Sequence, residues 1–164
     1  MALTPSDFDF VRAFVSGRAG IVLESGKEYL VESRLKPLAT KLGFASIAEL
    51  VAALRRTQDR NYERQLIEAM TTNETTFFRD IAPFDALRDH VLPPLIAARR
   101  PSRQLNIWCA ASSTGQEPYS VAMLLAEHFP ELRTWNVNFV ATDLSEEVLE
   151  RARAGRYSQL EVNR

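Results

Sequence analysis

The stretch QLNIWCAASSTGQEPYSVAMLLAEHF, residues 104–129, decides the fold class of this chain. Its first seven residues are a short apolar run with strand propensity, and the remainder, after a turn of small residues, has the apolar spacing of a helix. A second strand pattern, NVNFVATD at 136–143, and a second helical pattern, SEEVLERARAGRY at 145–157, follow. Strand, helix, strand and helix with short joints predict a parallel α/β sheet, on which we expect Trp108 and Trp135 to pack.

The residues before this stretch have the patterns of helices. Four segments are indicated by capping signals or apolar spacing: TPSD at 4–7, SGKE at 25–28, SIAE at 46–49 and a stripe from about 59 to 70. We expect Gly17 to end the first helix and Gly43 to close the second. Pro37 lies inside the second helix and should cause a kink or a local break.

The pattern changes near RRPSRQ at 99–104, a polar segment that contains Pro101. Before it, a helical pattern over 82–100 contains the adjacent Pro93 and Pro94, which should divide or bend the helix. After it, only two strands are indicated, and a doubly wound sheet needs more strands to bury both faces. We therefore expect the chain to be the N-terminal piece of a longer protein.

Composition and charge are those of an ordinary globular protein. Of the 164 residues, 46 % are hydrophobic and 25 % are charged, and the net charge of −1 does not indicate a nucleic-acid partner. The single cysteine, Cys109, excludes an internal disulfide. The N-terminus lacks a signal-peptide pattern and no apolar run is long enough to span a bilayer, so we expect a cytoplasmic location and no direct membrane insertion.

The turn after the first strand is made of small residues. Ligands bind beyond the carboxyl ends of parallel strands, and small side chains at 110–115 would let a flat ligand approach the backbone. The turn has one glycine, Gly115, which does not match the G-x-G-x-x-G dinucleotide pattern, and no Gly-Lys-Ser/Thr of a P-loop follows. These features favour a ligand without phosphate, such as a nucleoside attached to an amino acid.

An acidic residue follows the second strand. Asp143 can accept hydrogen bonds from ribose hydroxyls, as an acid at this point of a nucleotide-binding sheet does. Asp143 or Ser145 can instead cap the next helix, and a cap uses only one carboxylate oxygen. Spacing alone leaves both roles open, and they can coexist.

Three strings resemble the CheR-type chemotaxis receptor methyltransferases: NETTFFRD at 73–80, IWCAASSTGQEPYSVAMLL at 107–125 and VATDLSEEVLERARAGRY at 140–157. The resemblance implies an enzyme that methylates glutamate side chains of chemoreceptors in chemotaxis adaptation, using S-adenosylmethionine and releasing S-adenosylhomocysteine. It implies a small all-helical N-terminal domain with a cofactor-contacting linker, here 1–79. It also implies the first β-α-β-α part of a Rossmann-like methyltransferase sheet at 80–164, incomplete in this chain.

The resemblance also implies the site residues. The cofactor-binding positions are Asn73, Thr75, Arg79, Gly115, Glu117 and Asp143. Arg79 is in addition the candidate catalytic residue, because its guanidinium could pair with the cofactor's carboxylate or orient the substrate carboxylate. A surface salt bridge with Asp80 or Asp85 is the alternative for Arg79. Many family members have an acid where this chain has Gln116. We expect the linker to fold over the turn after the first strand, so that both face one pocket.

Methyl transfer from a sulfonium needs no general base. The positive sulfur activates the methyl group, and a glutamate carboxylate with a reference pKa of about 4.3 is already a nucleophile at neutral pH. The sequence accordingly has no His or Cys constellation, and we predict no metal site. We expect His90 and His128 to be ordinary helix residues and Cys109 to be a small apolar residue at a strand end.

Residues 27–41 are locally basic. Chemoreceptor methylation regions are acidic helical bundles, so the resemblance implies that Arg34, Lys36 and Lys41 dock the substrate. A solvated helix face is the alternative. Two other functions stay open besides the enzyme. One is a catalytically incomplete module that binds a cofactor or partner, and the other is a small-molecule methyltransferase on the same scaffold.

Overall fold

The computed structural model describes residues 3–57 and 59–162. These residues form two compact units, of which the first ends at Thr72 and the second begins at Asn73. We call them the helical unit and the sheet unit. This division precedes the predicted domain end at residue 79, so the linker segment, residues 73–80, is part of the sheet unit.

The helical unit is built from α1 (Pro5–Ala19), α2 (Glu28–Lys41), α3 (Ile47–Arg56) and α4 (Arg60–Met70). Three of these helices begin at a side-chain cap, because Thr4, Ser46 and Asp59 each accept a hydrogen bond from a backbone N–H of the first turn. Two of the three caps lie in the capping signals predicted from the sequence. α2 is continuous through Pro37, so it does not contain the local break that was one of the two predicted effects of this proline.

Two predicted helix boundaries are wrong. α2 begins after Lys27 without a side-chain cap, instead of being capped by Ser25. α1 continues through Gly17 and is closed by Gly20, whose φ of +68° is the left-handed value typical of a helix end. A glycine inside a helix costs only about 1 kcal/mol, which the packing of α1 overrides. Gly43, with φ +81°, follows the end of α2 as predicted.

Each helix of the helical unit buries one apolar stripe. The fully buried side chains of its core are Val11, Val15, Val31, Leu35, Leu50, Val51, Leu66 and Met70. Within α1, α2 and α4 they recur every four residues, which keeps them on one face of the helix. Tyr62 extends the α4 stripe, and its ring packs edge-on against Phe44 with centroids 5.6 Å apart. The sequence periodicity therefore accounts for this core.

The sheet unit begins with a divided helix. Its parts are α5 (Ile81–Ala86), a π-helical turn (Leu87–Val91) and α6 (Leu92–Arg99). Pro93 and Pro94 have no backbone N–H, so they cannot bond to the carbonyls four residues before them. The wider π-helical turn contains Asp89 and His90, whose carbonyls lose their ordinary donors in this way. The predicted division of this helix is confirmed.

A parallel β-α-β-α arrangement follows, and it confirms the predicted fold class. β1 (Gln104–Ala110) and β2 (Asn136–Thr142) are parallel and in register, with α7 (Gln116–His128) and a 3₁₀ turn (Pro130–Thr134) between them in the chain. α8 (Glu146–Ala154) and the short α9 (Gln159–Val162) come after β2. Ala110 pairs with Thr142, so the segments that follow the two strands emerge at the same edge of the sheet.

The two faces of the sheet differ in burial. Leu105 joins the core of the sheet unit with Leu92, Ile96, Leu124, Leu125 and Leu132. Trp135 packs against this core as expected. The expectation for Trp108 is wrong, because its side chain points to the opposite face and is 72 % exposed. Val140, its register partner on β2, is also exposed, so this face carries apolar side chains in contact with solvent.

Candidate functional site

The turn after β1 has an unusual backbone. Ala111, Ser113 and Gly115 all have left-handed φ values, +56°, +49° and +98°. Such a conformation costs a non-glycine residue about 1–3 kcal/mol and persists only where its surroundings hold it. The end of β2 supplies that support, because the N–H of Ser112 donates to the Thr142 carbonyl at 2.9 Å. Strained backbone of this kind clusters at functional sites, and nothing in the sequence marks Ala111 or Ser113 for it.

Asp143 holds the turn against the end of β2. Its Oδ2 accepts a hydrogen bond from the N–H of Ser113 at 2.8 Å, and its Oδ1 accepts one from the N–H of Ser145 at 3.0 Å. The cap of α8 is Ser145, whose Oγ accepts from the N–H of Val148. A carboxylate has about four acceptor positions, so Asp143 keeps capacity for a ligand hydroxyl.

The linker segment lies against the same turn. The Oγ of Ser113 donates to the Asn73 carbonyl at 2.6 Å. Further along, the N–H of Phe78 donates to the Oγ of Ser120 at 2.9 Å, in the first turns of α7. Phe78 and Asp80 have left-handed φ values of +48° and +56°, so the backbone on both sides of Arg79 is strained. The linker and the turn are therefore held together by named hydrogen bonds.

A polar cavity of about 440 Å³ lies between the linker, the turn and α8. Its lining includes Asn73, Glu74, Thr75, Thr114, Gln116, Glu147, Arg151 and Glu161. This volume is within the range of about 300–1,000 Å³ found for small-molecule sites. Arg151 forms an ion pair with Glu161, and hydrogen bonds from Ser158 lower the pKa of the Glu161 carboxyl. The three carboxylates outnumber the one guanidinium, which suits a ligand with a positive charge.

The structure places only part of the predicted set at this cavity. Asn73 and Thr75 line it, whereas Arg79, Gly115, Glu117 and Asp143 lie outside its lining. Arg79 is exposed, and its Nη1 donates to the Glu74 carbonyl at 3.0 Å. Asp85, one alternative partner for Arg79, forms its ion pair with Arg88 at 3.0 Å.

Gly115 is needed for packing between the turn and α8. A Cβ at this position would lie 2.7 Å from the Tyr157 hydroxyl and 2.9 Å from the Ala152 Cβ. The Tyr157 hydroxyl donates to the Thr114 carbonyl at 2.7 Å, so the chain after α8 returns to the turn. Gly115 also lines a second, mainly apolar cavity of about 320 Å³ together with Tyr119, Ala152 and their neighbours. Tyr157 ends the string VATDLSEEVLERARAGRY, but only its place in the fold indicates this contact.

Glu117 is bonded to the cysteine at the end of β1. The Cys109 thiol donates to Glu117 Oε1 at 2.9 Å. Burial of the thiol, together with the hydrogen bond and the charge of Glu117, raises the pKa of Cys109 to about 12. The thiol is therefore protonated at neutral pH and is not a nucleophile. Cys109 is buried, as predicted for a small residue at a strand end.

Ser112 is a further polar group at the turn that sequence reasoning missed. Its side chain is 1 % exposed, and its Oγ has no hydrogen-bond partner within residues 3–57 and 59–162. An unsatisfied buried hydroxyl costs about 1–3 kcal/mol, so such groups are rare in native proteins. Ser112 thus offers an unused hydrogen-bonding group at the turn.

The described ranges contain neither a candidate metal-binding cluster nor a candidate membrane-spanning helix. No group of three or more His, Cys, Asp or Glu side chains is placed there to hold a metal ion. Across the same residues, none of the helices combines the length and the apolar content required to cross a bilayer.

The predicted docking residues lie on α2 and have different surroundings. Arg34 donates from Nη1 to the carbonyls of Met70, at 2.5 Å, and Thr71, at 3.0 Å, and from Nη2 to the Thr72 hydroxyl at 3.0 Å. It thereby satisfies carbonyls that the end of α4 leaves without helical partners. Lys36 and Lys41 are exposed. The structure gives Arg34 a structural function and leaves Lys36 and Lys41 accessible.

The fold and the site define a class of protein. A turn of small residues after the first strand, an acid after the second and a polar cavity beside the turn are the features of a Rossmann-type domain that binds a nucleoside-containing ligand. The helical unit precedes this domain in the chain.

Comparison with known families makes this class specific. Residues 73–164 match the SAM binding domain of CheR methyltransferase, and residues 6–71 match the all-alpha domain of CheR methyltransferase. The first match covers more than half of the chain, and the chain belongs to the CheR methyltransferase family. The family resemblance and the S-adenosylmethionine cofactor predicted from the sequence are both confirmed.

Curated relatives are similar over nearly the whole chain. Chemotaxis protein methyltransferase 1 of Pseudomonas aeruginosa is 44 % identical over 168 residues, covering 100 % of this chain and 60 % of that protein. Chemotaxis protein methyltransferase of Vibrio parahaemolyticus is 45 % identical over 169 residues, covering 99 % and 60 %. The Escherichia coli protein of the same name is 37 % identical over 163 residues, covering 99 % and 54 %. This chain thus spans about 60 % of the length of the first two relatives.

Proposed function

We propose that this chain carries the cofactor-binding part of an S-adenosylmethionine-dependent protein-glutamate O-methyltransferase. It acts on chemoreceptors in the cytoplasm during chemotaxis adaptation. The observation that carries the proposal is the 2.6 Å hydrogen bond from Ser113 Oγ to the Asn73 carbonyl, because it holds the linker against the turn beside a polar cavity of about 440 Å³.

The chemistry of the residues fits the cofactor. Carboxylates such as Glu117 and Asp143 accept hydrogen bonds from hydroxyl and ammonium groups, and S-adenosylmethionine offers both. The excess of carboxylates around the cavity suits its positive sulfur. The Oγ of Ser112, which has no hydrogen-bond partner among the described residues, adds one more group for a polar ligand. Asn73, Thr75, Arg79, Gly115, Glu117 and Asp143 remain the residues proposed to hold it.

The protein's task in this reaction is mainly to position the reactants. The bound cofactor supplies a methyl group that is activated by the sulfonium, and it leaves as S-adenosylhomocysteine. The substrate glutamate is ionised at neutral pH, so the chain needs no general base. Orientation of two reactants is worth about 7–11 kcal/mol in favourable cases. A protonated Cys109 and exposed His90 and His128 are consistent with a site that moves no proton.

Arg79 is the proposed residue for orienting a carboxylate. A guanidinium has five N–H donors, and the bond to the Glu74 carbonyl uses one of them. The strained residues on either side, Phe78 and Asp80, restrict where the side chain of Arg79 can reach. The experiments below test whether Arg79 pairs with the carboxylate of the cofactor or with that of the substrate.

Calorimetry with S-adenosylhomocysteine tests the cofactor part of the proposal. Arg79→Ala is expected to weaken binding by about 10- to 100-fold, because a hydrogen bond to a charged group is worth about 1.5–3 kcal/mol. The matched control is Arg100→Ala, an exposed arginine of the same unit at the end of α6. Unchanged affinity in Arg79→Ala removes Arg79 from the cofactor site. A loss of methyl transfer with unchanged affinity assigns it to the substrate carboxylate.

Methyl transfer to receptor-containing membranes tests the activity. Tritiated S-adenosylmethionine is supplied to this chain and, as positive control, to the full-length Pseudomonas aeruginosa relative. Label on receptor glutamates with this chain supports the enzyme. Label with the relative alone, together with S-adenosylhomocysteine binding by this chain, supports a binding module instead.

We also propose that the exposed face of α2 docks the acidic helical bundle of the receptor through Lys36 and Lys41, with Arg34 contributing any donor that α4 leaves free. Long-range attraction between opposite charges raises the rate of encounter and is screened by salt. Lys36→Glu combined with Lys41→Glu should slow association with a soluble fragment of the chemoreceptor. The association rate should also depend less on the salt concentration. Arg99→Glu combined with Arg100→Glu makes the same change of net charge at two exposed arginines outside α2 and is the control. Equal effects of the two double variants would show that only net charge matters.

A further inference from the structure

Tyr157 contacts three segments that form the candidate site. Its hydroxyl donates to the carbonyl of Thr114 in the turn at 2.7 Å. Its ring packs edge-on against Phe77 of the linker, with centroids 4.9 Å apart, and against Tyr119 of α7 at 5.9 Å. Tyr157 therefore contacts the turn and the linker at the same time through one side chain.

The hydrogen bond from Tyr157 acts on the strained part of the turn. Thr114 lies between Ser113 and Gly115, both of which have left-handed φ values. Strained backbone persists only when its surroundings restrict it, and the carbonyl of Thr114 is fixed by this one phenol. The phenol oxygen also occupies the space that a Cβ of Gly115 would need. Loss of the hydroxyl would therefore free the turn at its strained point.

The ring of Tyr157 acts on the linker. Phe77 lies two residues after Thr75, which lines the polar cavity, and one residue before Phe78, whose N–H is held by Ser120. Edge-to-face aromatic pairs are worth about 0.5–1.5 kcal/mol beyond the area that they bury. The ring thus holds the linker at the point where it passes the turn. Burial raises the pKa of Tyr157, so the phenol stays protonated and can donate at neutral pH.

We propose that Tyr157 is a positioning residue of the cofactor site: its hydroxyl fixes the turn at Thr114 while its ring fixes the linker at Phe77. Tyr157 itself does not line the polar cavity. It acts through Thr114 and the linker, whose residues line the cavity. The effect on S-adenosylmethionine affinity rests on the proposed function above, whereas the effect on the turn and linker does not.

Two matched phenylalanine variants separate this role from general stability. Tyr157→Phe removes the bond to the turn and keeps the ring contacts. Tyr119→Phe removes a comparable bond, from the phenol to the Ala152 carbonyl at 3.0 Å, which joins α7 to the end of α8 and does not reach the turn. Tyr157→Phe should weaken S-adenosylhomocysteine binding by about 3- to 10-fold, the effect of one net hydrogen bond. Tyr119→Phe should leave the affinity within about 2-fold of that of the unmodified chain. It should lower the melting temperature by about as much as Tyr157→Phe does.

Amide hydrogen exchange provides a readout that needs no ligand. In Tyr157→Phe, peptides covering 113–116 should exchange faster, with peptides covering 73–78 unchanged. In Tyr157→Ala, which also removes the ring, both regions should exchange faster. Tyr119→Phe should change neither region. Exchange measured below the melting transition of each variant excludes global unfolding as the cause.

The outcomes distinguish the two proposals. If the unmodified chain does not bind S-adenosylhomocysteine, the proposed function of this chain fails, and the exchange pattern alone decides whether Tyr157 positions the turn. If the chain binds and Tyr157→Phe binds equally well, the positioning role is overturned and the proposed function stands. Equal exchange at 113–116 in Tyr157→Phe and the unmodified chain also overturns it.

Discussion

Replacing Gly115 with alanine should strongly destabilise the sheet unit. The backbone at Gly115 has φ +98°, which L-residues rarely adopt. An added Cβ would lie 2.9 Å from the Cβ of Ala152 and 3.2 Å from its Cα, which belongs to the backbone of α8 and cannot rotate away. It would also lie 2.7 Å from the Tyr157 hydroxyl, which can move only by releasing the Thr114 carbonyl.

These contacts set the expected size of the effect. A left-handed conformation costs an alanine about 1–2 kcal/mol. Overpacking against a rigid neighbour adds about 1–3 kcal/mol. Loss of the bond between Tyr157 and Thr114 adds about 1 kcal/mol. We therefore expect Gly115→Ala to lower the free energy of unfolding by about 3–6 kcal/mol, a large part of the stability of a small domain.

Two other glycines provide matched controls. Gly26 has φ +87° and nothing within 4 Å of a built Cβ, so Gly26→Ala isolates the backbone cost of about 1–2 kcal/mol. Gly155 has φ +58°, and its built Cβ meets only the Tyr119 side chain, at 3.1 Å from the hydroxyl. Because that side chain can move, Gly155→Ala should fall between Gly26→Ala and Gly115→Ala.

Urea unfolding measures the effect in each unit. The two tryptophans, Trp108 and Trp135, both lie in the sheet unit, so their fluorescence reports unfolding of that unit. For Gly26→Ala, the circular dichroism of the helices reports the urea unfolding of the helical unit. If Gly115→Ala unfolds the sheet unit at all urea concentrations, adding Ala152→Gly, which removes the nearest carbon atom, should restore a folded baseline. The reasoning is refuted if Gly115→Ala costs no more than Gly26→Ala.

Two further predictions follow from the surroundings of single side chains. Arg34→Ala should lower the free energy of unfolding of the helical unit by about 1–3 kcal/mol, because carbonyls at the end of α4 lose charged donors. An unchanged midpoint of urea unfolding, followed by circular dichroism, would contradict this prediction. With its pKa raised from 9.0 to about 12, Cys109 is about 0.1 % thiolate at pH 9, so iodoacetamide should react about 500-fold more slowly than with a thiol of pKa 9.0. The reaction rate is measured by mass spectrometry on the only cysteine of the sequence, and it should still rise tenfold per pH unit above pH 9. Glu117→Gln should shift this pH profile to lower pH, because it removes a charge that raises the pKa of the thiol. A plateau of the rate near pH 9 in the unmodified chain would contradict the raised pKa.

Local sequence signals predicted most of the elements. The capping signals at Thr4 and Ser46 and the apolar stripe of α4 act over a few residues, and the structure contains all three. The same holds for β1, β2 and the helices that follow them. The ends of the helices were predicted less well, because Gly17 and Gly20 can each end a helix and packing decides between them. The resemblance, and not local pattern, pointed to the linker as part of the site.

The sequence by itself determined the order of the helices and strands, the turn of small residues and the family. The tertiary structure alone decided which distant residues meet there. Ser113 bonds to Asn73 forty positions away, and Tyr157 bonds to Thr114 forty-three positions away. Arg34 likewise reaches the end of α4, so that a residue predicted to dock substrate also satisfies helix carbonyls. Propensity and capping act between near neighbours in the chain, whereas these contacts exist only after the core has brought separate segments together.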